Sequence, residues 1–240
     1  QRDKDTILGF WRQNHSTPLD RKYSWIYEAN PDGEAKAWLL RDDSGECVGL
    51  AAAFPRRMRV GGDSLLAGIA GDLLVKKEHR TLGPALLLQR AVISAVDKGE
   101  VDFIYGFPNP SAEAVMKRVG YRSLGPRGRY VSVLRSGPIE RALGRRPIPL
   151  LGPLADLALG LRRFWMRRKP GAPLRYAEVK DGDHHFDELW AKTTRPFAVF
   201  AERTEAYLRW RFFHDPETEN HVFAAFDAAS DAPKGYLVYC

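Results

Sequence analysis

A short segment in the first half of the chain has the composition of an anion-binding loop, and it consists of Arg80, Thr81, Leu82, Gly83, Pro84 and Ala85. Residues 85–96, which follow it, are rich in good helix formers. The first amides of a helix have no partner within the helix, and the helix dipole adds about half a positive charge there. Pro84 suits the first helical position, and Gly83 lets the backbone approach an anion closely. The segment therefore predicts a diphosphate-binding site, with Arg80 adding charge from the side.

The pattern Arg80-x-x-Gly83-x-Ala85, placed between an apolar strand and a helix, resembles the acyl-CoA-binding signature of the GNAT superfamily of N-acyltransferases. Residues 71–75 precede it at the distance usual in that family. Downstream, residues 109–121 are similar to the family's sequence of strand end, Asn, helix and Gly-aromatic ending. The resemblance covers about residues 1–135. The alternative interpretation is an ordinary helix start that binds nothing.

The resemblance implies that acetyl-CoA, or another acyl-CoA, is a co-substrate and that no metal takes part. The cofactor-binding residues that it implies are Leu73, Leu74, Val75, Arg80, Thr81, Leu82, Gly83, Pro84, Ala85 and Asn109. Backbone groups of the first three would bind the pantetheine and the thioester carbonyl, which favours acyl transfer by polarisation and proximity. An amine acceptor must also lose a proton, usually to a carboxylate. Asp72 is the candidate base; alternatively, it caps a turn or pairs with an arginine.

The chain departs from the family at the position of the residue that protonates the departing thiolate. Many members have a tyrosine four residues before the Gly of the closing Gly-aromatic pair, whereas this chain has Met116, which cannot donate a proton. Tyr105 or Tyr121 could substitute for it as the catalytic acid. Alternatively, no acid is used and the thiolate leaves unaided.

The elements that position these residues follow a recognisable order along residues 1–135. Hydrophobic periodicity and turn residues predict two helices within residues 1–30, strands at 37–40, 47–60 and 65–75, a helix at 85–96, a strand at 101–107, a helix at 111–119 capped by Ser111, and a strand at 129–134. This order predicts an α/β fold, in the α+β sense of a mixed sheet covered by helices.

The rest of the chain divides into a linker at 136–173 and a partial second copy of the first domain at 174–240. Trp210 and Pro216 repeat the spacing of Trp25 and Pro31, and residues 222–227 stand 185 positions after 37–42. The second copy stops at Cys240, before any equivalent of the 80–85 loop. The linker predicts one amphipathic helix at about 153–167. Its basic residues could contact an anionic membrane surface, although packing of its apolar side on a domain is the favoured interpretation.

Composition excludes several classes of protein. An apolar fraction of 44% and a charged fraction of 28% over 240 residues are those of a globular protein. The net charge of +7 suits an anionic partner such as coenzyme A, whereas no basic-aromatic alternation indicates nucleic acid. Two cysteines predict no disulfide framework, and no apolar run is long enough to span a membrane, so we expect a cytoplasmic protein. His184 and His185 lack the spacing of a metal site.

The leading functional hypothesis is therefore an N-acyltransferase that moves an acetyl group to a small-molecule amine. The run Tyr105-Gly-Phe-Pro-Asn109, together with a second copy, also resembles GNAT proteins linked with bacterial surface polysaccharides, which implies an amino-sugar acceptor. An aminoacyl or peptide acceptor is the alternative within this class. The alternative from another class is a non-catalytic acyl-CoA-binding or scaffold module. The oligomeric state is left open.

Overall fold

The computed structural model describes residues 2–12, 19–125, 128, 154, 156–161, 173–181, 186–193 and 198–240. Two compact units are present, one formed by Gln1–Ser123 together with Leu174–Cys240 and the other by Leu124–Pro173. In the second unit, Leu154 and residues 156–161 are helical, within the helix predicted at 153–167. The predicted strand at 129–134 and the pair His184 and His185 lie outside the described residues.

The first unit contains helices and strands on both sides of the second unit in sequence. Its helices are Arg2–Arg12 (α1), Leu19–Tyr23 (α2), Leu82–Asp97 (α3), Pro110–Arg118 (α4), Phe186–Thr193 (α5) and Glu205–Leu208 (α6). Its strands are Lys36–Arg41 (β1), Cys47–Val60 (β2), Asp63–Val75 (β3), Phe103–Tyr105 (β4), Leu174–Val179 (β5), Val199–Ala201 (β6), His221–Asp227 (β7) and Pro233–Tyr239 (β8). Short turns at Ser24–Glu28 and Arg209–Phe213 are π-helical, and a 3-10 turn occupies Lys77–His79.

The larger sheet has the strand order β1-β2-β3-β4, and β6 also pairs with β2. Strands β1, β2 and β3 form an antiparallel meander, whereas β4 joins β3 in parallel after the crossover through α3. The pair of β6 with β2 brings a strand from residues 174–240 into this sheet. The predicted mixed α/β sheet is therefore confirmed.

Each face of the larger sheet is covered by a different group of helices. On one face, α1 and the turn after α2 bury an aromatic cluster that includes Trp11, Tyr23 and Tyr27 against Leu50 and Ala52 of β2. On the other face, Leu88 and Val92 of α3 pack on Ala51 and Ala53. Successive residues of β2 thus serve opposite cores, as the alternation of side chains in a strand requires.

Strands β5, β7 and β8 form a separate antiparallel sheet, which packs one face against α5 and α6. Trp25 and Trp210 lie in the two π-helical turns, 185 residues apart, and their indole rings stack with centroids 5.1 Å apart. The indole nitrogen of each donates to the backbone carbonyl of the other, both at 2.7 Å. A reciprocal contact of this kind is what two related copies would make across a local two-fold axis. The internal duplication and the three-part division of the chain stay predictions.

Two helix boundaries differ from those predicted. Helix α3 begins at Leu82, so Pro84 is its third residue rather than its first. Helix α4 begins at Pro110, and its cap is Asn109 rather than Ser111. Asparagine caps helices as well as serine does, and Pro110 suits a first helical residue, so the helix begins one residue before Ser111.

Candidate active site

The start of α3 is open to an anion. Thr81 occupies the N-cap with an extended backbone, and its side chain makes no capping hydrogen bond. By helix geometry, the amides of Leu82 and Gly83 have no intrahelical partner, while Pro84 has no amide hydrogen to offer. Arg80 Nε donates to the carbonyl of Val75 at 3.0 Å, which ties the loop to the end of β3.

The surroundings of this helix start leave room for a ligand. A Cβ atom added to Gly83 would meet no heavy atom within 4 Å. Arg80, Thr81 and Leu82 are exposed as well. Because the adjoining loop supplies a guanidinium and two free amides, the residues present fit a phosphate group at this point. Binding there stays a prediction for all six residues of the loop.

A β-bulge determines the direction of the Asp72 side chain. Ala52 pairs with Gly71 and Leu50 pairs with Leu74, so Ala51 alone stands opposite both Asp72 and Leu73. Asp72 has a φ of +47°, in the left-handed region that single non-glycine residues adopt at bulges. The extra residue breaks the alternation of β3 and leaves Asp72 facing the α1 side of the sheet, where Trp11 and Tyr27 donate to it.

Two aromatic side chains hold the Asp72 carboxylate. Its Oδ2 accepts a hydrogen bond from Tyr27 Oη at 2.7 Å and another from Trp11 Nε1 at 3.2 Å. Burial, followed by the charge of Asp72, raises the pKa of Tyr27 well above its usual range, so this phenol stays a donor. Tyr23 stacks on Tyr27 with centroids 4.7 Å apart and limits its movement. The arrangement therefore presents a carboxylate with a defined orientation, as a general base requires.

Beside this carboxylate, Gly71 packs closely against an aromatic ring. A Cβ atom at Gly71 would lie 2.7 Å from Cε2 of Phe54, whose ring packs edge-on against Tyr27. Sequence reasoning missed Trp11, Tyr27 and Phe54 as parts of the site. The aromatic residues of the first two helices were visible, but their pattern indicated only a buried helix face.

Strands β3 and β4 separate next to the bulge. They pair at three positions only, the last being Ile69 with Tyr105, whereas β3 continues to Val75. Beyond Ile69, no strand in the described part of the chain pairs with this edge of β3. The Val75 carbonyl accepts from Arg80. The other backbone groups of Leu73 to Val75 on that edge have no paired strand beside them, which suits the predicted binding of an extended ligand by Leu73, Leu74 and Val75.

Met116 lies at the point where the two strands separate. Its Cε is 3.2 Å from the position that a Cβ of Gly106 would take, and the same position is 3.3 Å from the carbonyl oxygen of Ala70. The Met116 side chain is buried. The Met116 thioether is therefore the group of residue 116 that lies closest to the point where β3 and β4 separate.

The two alternative tyrosines have different surroundings. Tyr105 lies on the face of β4 opposite to Ile104, and Ile104 packs against the α3 side of the sheet, so Tyr105 and Asp72 share a face. Tyr121 follows α4, and its hydroxyl is buried with no hydrogen-bond partner among the described residues. Burial raises the pKa of Tyr105 above its usual value and that of Tyr121 to about 12. Neither phenol is therefore made more acidic by the structure.

Asn109 has a structural role in addition to the predicted one. Its Oδ1 accepts a hydrogen bond from the amide of Ala112 at 2.9 Å and caps α4. Binding of a cofactor by Asn109 stays a prediction.

No cluster of three His, Cys, Asp or Glu side chains suited to a metal ion occurs among the residues that the structure describes. In the same residues, no helix is long and apolar enough to cross a bilayer.

Comparisons with known proteins identify a related family model and solved structures with a similar fold. Residues 9–124 match the family model described as an acetyltransferase (GNAT) domain. A GCN5-related N-acetyltransferase from Anabaena variabilis superimposes on 99% of this chain and 52% of its own, with a TM-score of 0.63 and 13% identity. A probable N-acyltransferase from Enterococcus faecalis superimposes on 98% of this chain and 51% of its own, with a TM-score of 0.58 and 12% identity.

A third solved structure is the Saccharomyces cerevisiae N-myristoyltransferase with bound myristoyl-CoA. It superimposes on 99% of this chain and 57% of its own, with a TM-score of 0.50 and 14% identity. The chain thus spans about half the length of the solved structures that share its fold over nearly all its residues. No curated protein sequence matches the chain.

Proposed function

Because residues 9–124 match the family model of the acetyltransferase (GNAT) domain, we propose that this protein transfers an acyl group, with acetyl as the first candidate, from acyl-CoA to the nitrogen of a small-molecule amine. The observation that carries the proposal is the arrangement at the end of β3. This strand presents the oriented carboxylate of Asp72 at its bulge, a free backbone edge immediately after it, and an uncapped helix start beyond its last residue.

The binding of acyl-CoA would use main-chain groups for the most part. The amides of Leu82 and Gly83, with the Arg80 guanidinium, would hold the pyrophosphate. The free edge of β3 from Leu73 to Val75 would bind the pantetheine and polarise the thioester carbonyl. Thr81, Pro84 and Ala85 shape the loop, and Asn109 would lie at the opposite side of the opening.

Asp72 would accept the proton of the attacking amine. As the C–N bond forms and the C–S bond breaks, the electron pair of the latter stays on sulfur. A thiol has an ordinary pKa of about 8.5, so a thiolate is a weaker base than either tyrosinate with its raised pKa. Proton transfer from Tyr105 or Tyr121 would run uphill, and we therefore favour departure of the thiolate unaided.

The proposed acceptor is a small-molecule amine, and the proposed location is the cytoplasm. An amino sugar and an aminoacyl or peptide amine both fit the required nucleophile. Cys47 and Cys240 are free thiols, which suits the reducing cytoplasm. A non-catalytic acyl-CoA-binding module is the second candidate, and the observation that favours it is the thioether of Met116 at the opening between β3 and β4.

Calorimetric titration with acetyl-CoA tests the binding site. We expect micromolar affinity, about 8 kcal/mol, that is lost in Gly83→Glu, because a carboxylate would occupy the phosphate position without clashing with the protein. Gly235→Glu is the matched control, since Gly235 in β8 also has open space around it and lies outside the loop. Equal affinity in both variants would place the cofactor elsewhere.

The substitution Asp72→Asn tests the chemistry. The amide oxygen can still accept from Trp11 and Tyr27, so the local structure should be kept while the base is lost. We expect the loss of most turnover, on the order of 10²-fold or more, with unchanged affinity for acetyl-CoA. Unchanged turnover would remove Asp72 from the mechanism. Tight binding of acetyl-CoA without turnover of any amine by the unaltered protein would favour the binding module.

A further inference from the structure

Residues from the C-terminal part of the chain border the sheet face on which Asp72 lies. Arg56 belongs to this face because it alternates with Phe54, which packs with the α1 cluster. The ring of Tyr207 lies over the Arg56 guanidinium at 3.3 Å, and Arg56 also donates to the carbonyl of Glu202. Residues 202–207 are thus anchored on the same face as the proposed base.

Three phenols surround this anchor point. Tyr105 lies close enough to Arg56 and Tyr207 for both to act on its pKa, and Tyr236 has the same two neighbours. Burial raises the pKa of Tyr236, and the Arg203 guanidinium near its phenol opposes this shift. The three tyrosines are half-buried, as are Ile69 and Asp72, so each residue of this surface keeps an accessible part.

The charges on this surface are separated. Arg56 is compensated by Asp32 at 2.9 Å, and Glu202 is compensated by Arg59 at 3.0 Å. Arg203 is exposed, and no carboxylate of the described residues forms an ion pair with it. A carboxylate, Asp72, therefore stands at one end of the surface and an uncompensated guanidinium stands toward the other.

The strand geometry gives the distance between the two ends. Asp72 lies three residues beyond Ile69, the partner of Tyr105, and five beyond Ala67, the partner of Arg56. At about 3.3 Å per residue, the positions on β3 that pair with Tyr105 and Arg56 lie roughly 10 and 16 Å from Asp72, the proposed base. A single amino acid is too short to reach both groups.

We propose that Tyr105, Arg203, Tyr207 and Tyr236 form the distal part of the acceptor site and bind an anionic group of an extended amine, on the order of 10 Å or more from the reacting nitrogen. The inference rests on the proposed N-acyltransferase function and names its acceptor class. The anionic group is a carboxylate or a phosphate, and the phenols provide hydrogen-bond donors and flat surfaces for the body of the molecule.

The test compares acceptors with and without the anionic group. Trialanine and trialanine amide report on a carboxylate, and UDP-glucosamine and glucosamine report on a phosphate. Isothermal titration and the release of CoA thiol are measured with each, in the presence of acetyl-CoA. We expect the charged member of one pair to bind at least tenfold more tightly than its neutral partner. The loss of one hydrogen bond to a charged group lowers affinity by about this factor.

The variant Arg203→Gln should abolish that preference by weakening the charged member alone. Tyr236→Phe, which removes one phenol hydroxyl from the proposed site, should reduce it in part. Arg175→Gln is the matched control, because Arg175 is an exposed arginine of β5 that pairs with Asp231, and it should keep the preference. A preference that survives in Arg203→Gln would overturn the inference.

Equal affinity for the charged and neutral members, or no affinity for any of the four compounds, would overturn it as well. Titration with acetyl-CoA alone separates this result from failure of the proposed function. If acetyl-CoA binds and another amine is acylated, only the distal site is wrong. If acetyl-CoA does not bind, the N-acyltransferase proposal fails with it.

Discussion

Removal of one partner of the buried ion pair between Arg56 and Asp32 should cost more stability than removal of one partner of an exposed pair. Their side chains are 5% and 7% exposed and 2.9 Å apart. Arg56 also contacts Tyr207 and donates to the carbonyl of Glu202, so the pair joins the larger sheet to the C-terminal part of the chain. Removing the charge of Asp32 would leave a buried guanidinium without a counter-charge.

The expected cost of Asp32→Asn follows from this burial. Removal of one partner of a buried pair costs about 3–5 kcal/mol. The lower limit applies here, because asparagine can still accept the hydrogen bond that the amide of Arg57 donates to Asp32 Oδ2. In a protein of this size, 1 kcal/mol corresponds to about 2–4 °C in Tm. We therefore expect Asp32→Asn to lower the Tm by roughly 6–12 °C.

Thermal unfolding followed by circular dichroism measures the effect, and Glu113→Gln is the matched control. Glu113 pairs with Lys117 on α4, where the two side chains are 45% and 59% exposed. An exposed helical pair contributes about 0.5 kcal/mol or less, so the control should shift the Tm by about 2 °C at most. If Asp32→Asn shifts the Tm no more than the control does, the buried charge is compensated by other means and the reasoning is refuted.

Two further substitutions test the surroundings of the site. Gly71→Ala should reduce turnover while acetyl-CoA affinity is kept, because its Cβ would displace the Phe54 ring that packs beside the Asp72 pocket; steady-state kinetics with parallel calorimetry would show this, and unchanged turnover would mean that Phe54 can move freely. Tyr121→Phe should be at least as stable as the unaltered protein at pH 7 in urea unfolding, because the Tyr121 hydroxyl is buried without a described partner. Since the folded protein raises the pKa of Tyr121 to about 12, the unfolded chain releases this proton first and stability falls between about pH 10 and 12. The variant should lose less stability over that range, and an identical loss in both proteins would contradict the assignment.

Local sequence signals identified the parts of the fold that depend on interactions between residues close in the sequence. The run of helix formers after Gly83, the apolar stretch before Arg80 and the turn residues between strands predicted the order of elements through α4. These signals work because helix starts, strand alternation and turns are determined by a few neighbouring residues. Boundaries were less certain, as the start of α3 at Leu82 and the capping of α4 by Asn109 illustrate.

The sequence by itself therefore determined the family resemblance and the loop at 80–85, since both lie within one continuous segment. Tertiary structure alone decided what surrounds Asp72. Its two hydrogen-bond donors lie 61 and 45 residues away in the sequence. The direction of its side chain depends on a β-bulge, which one extra residue of β3 creates in the pairing with β2. The same holds for the surface formed by Tyr105, Tyr207 and Tyr236. Contacts between distant segments depend on how strands pair and faces pack, and no local pattern in the sequence encodes that choice.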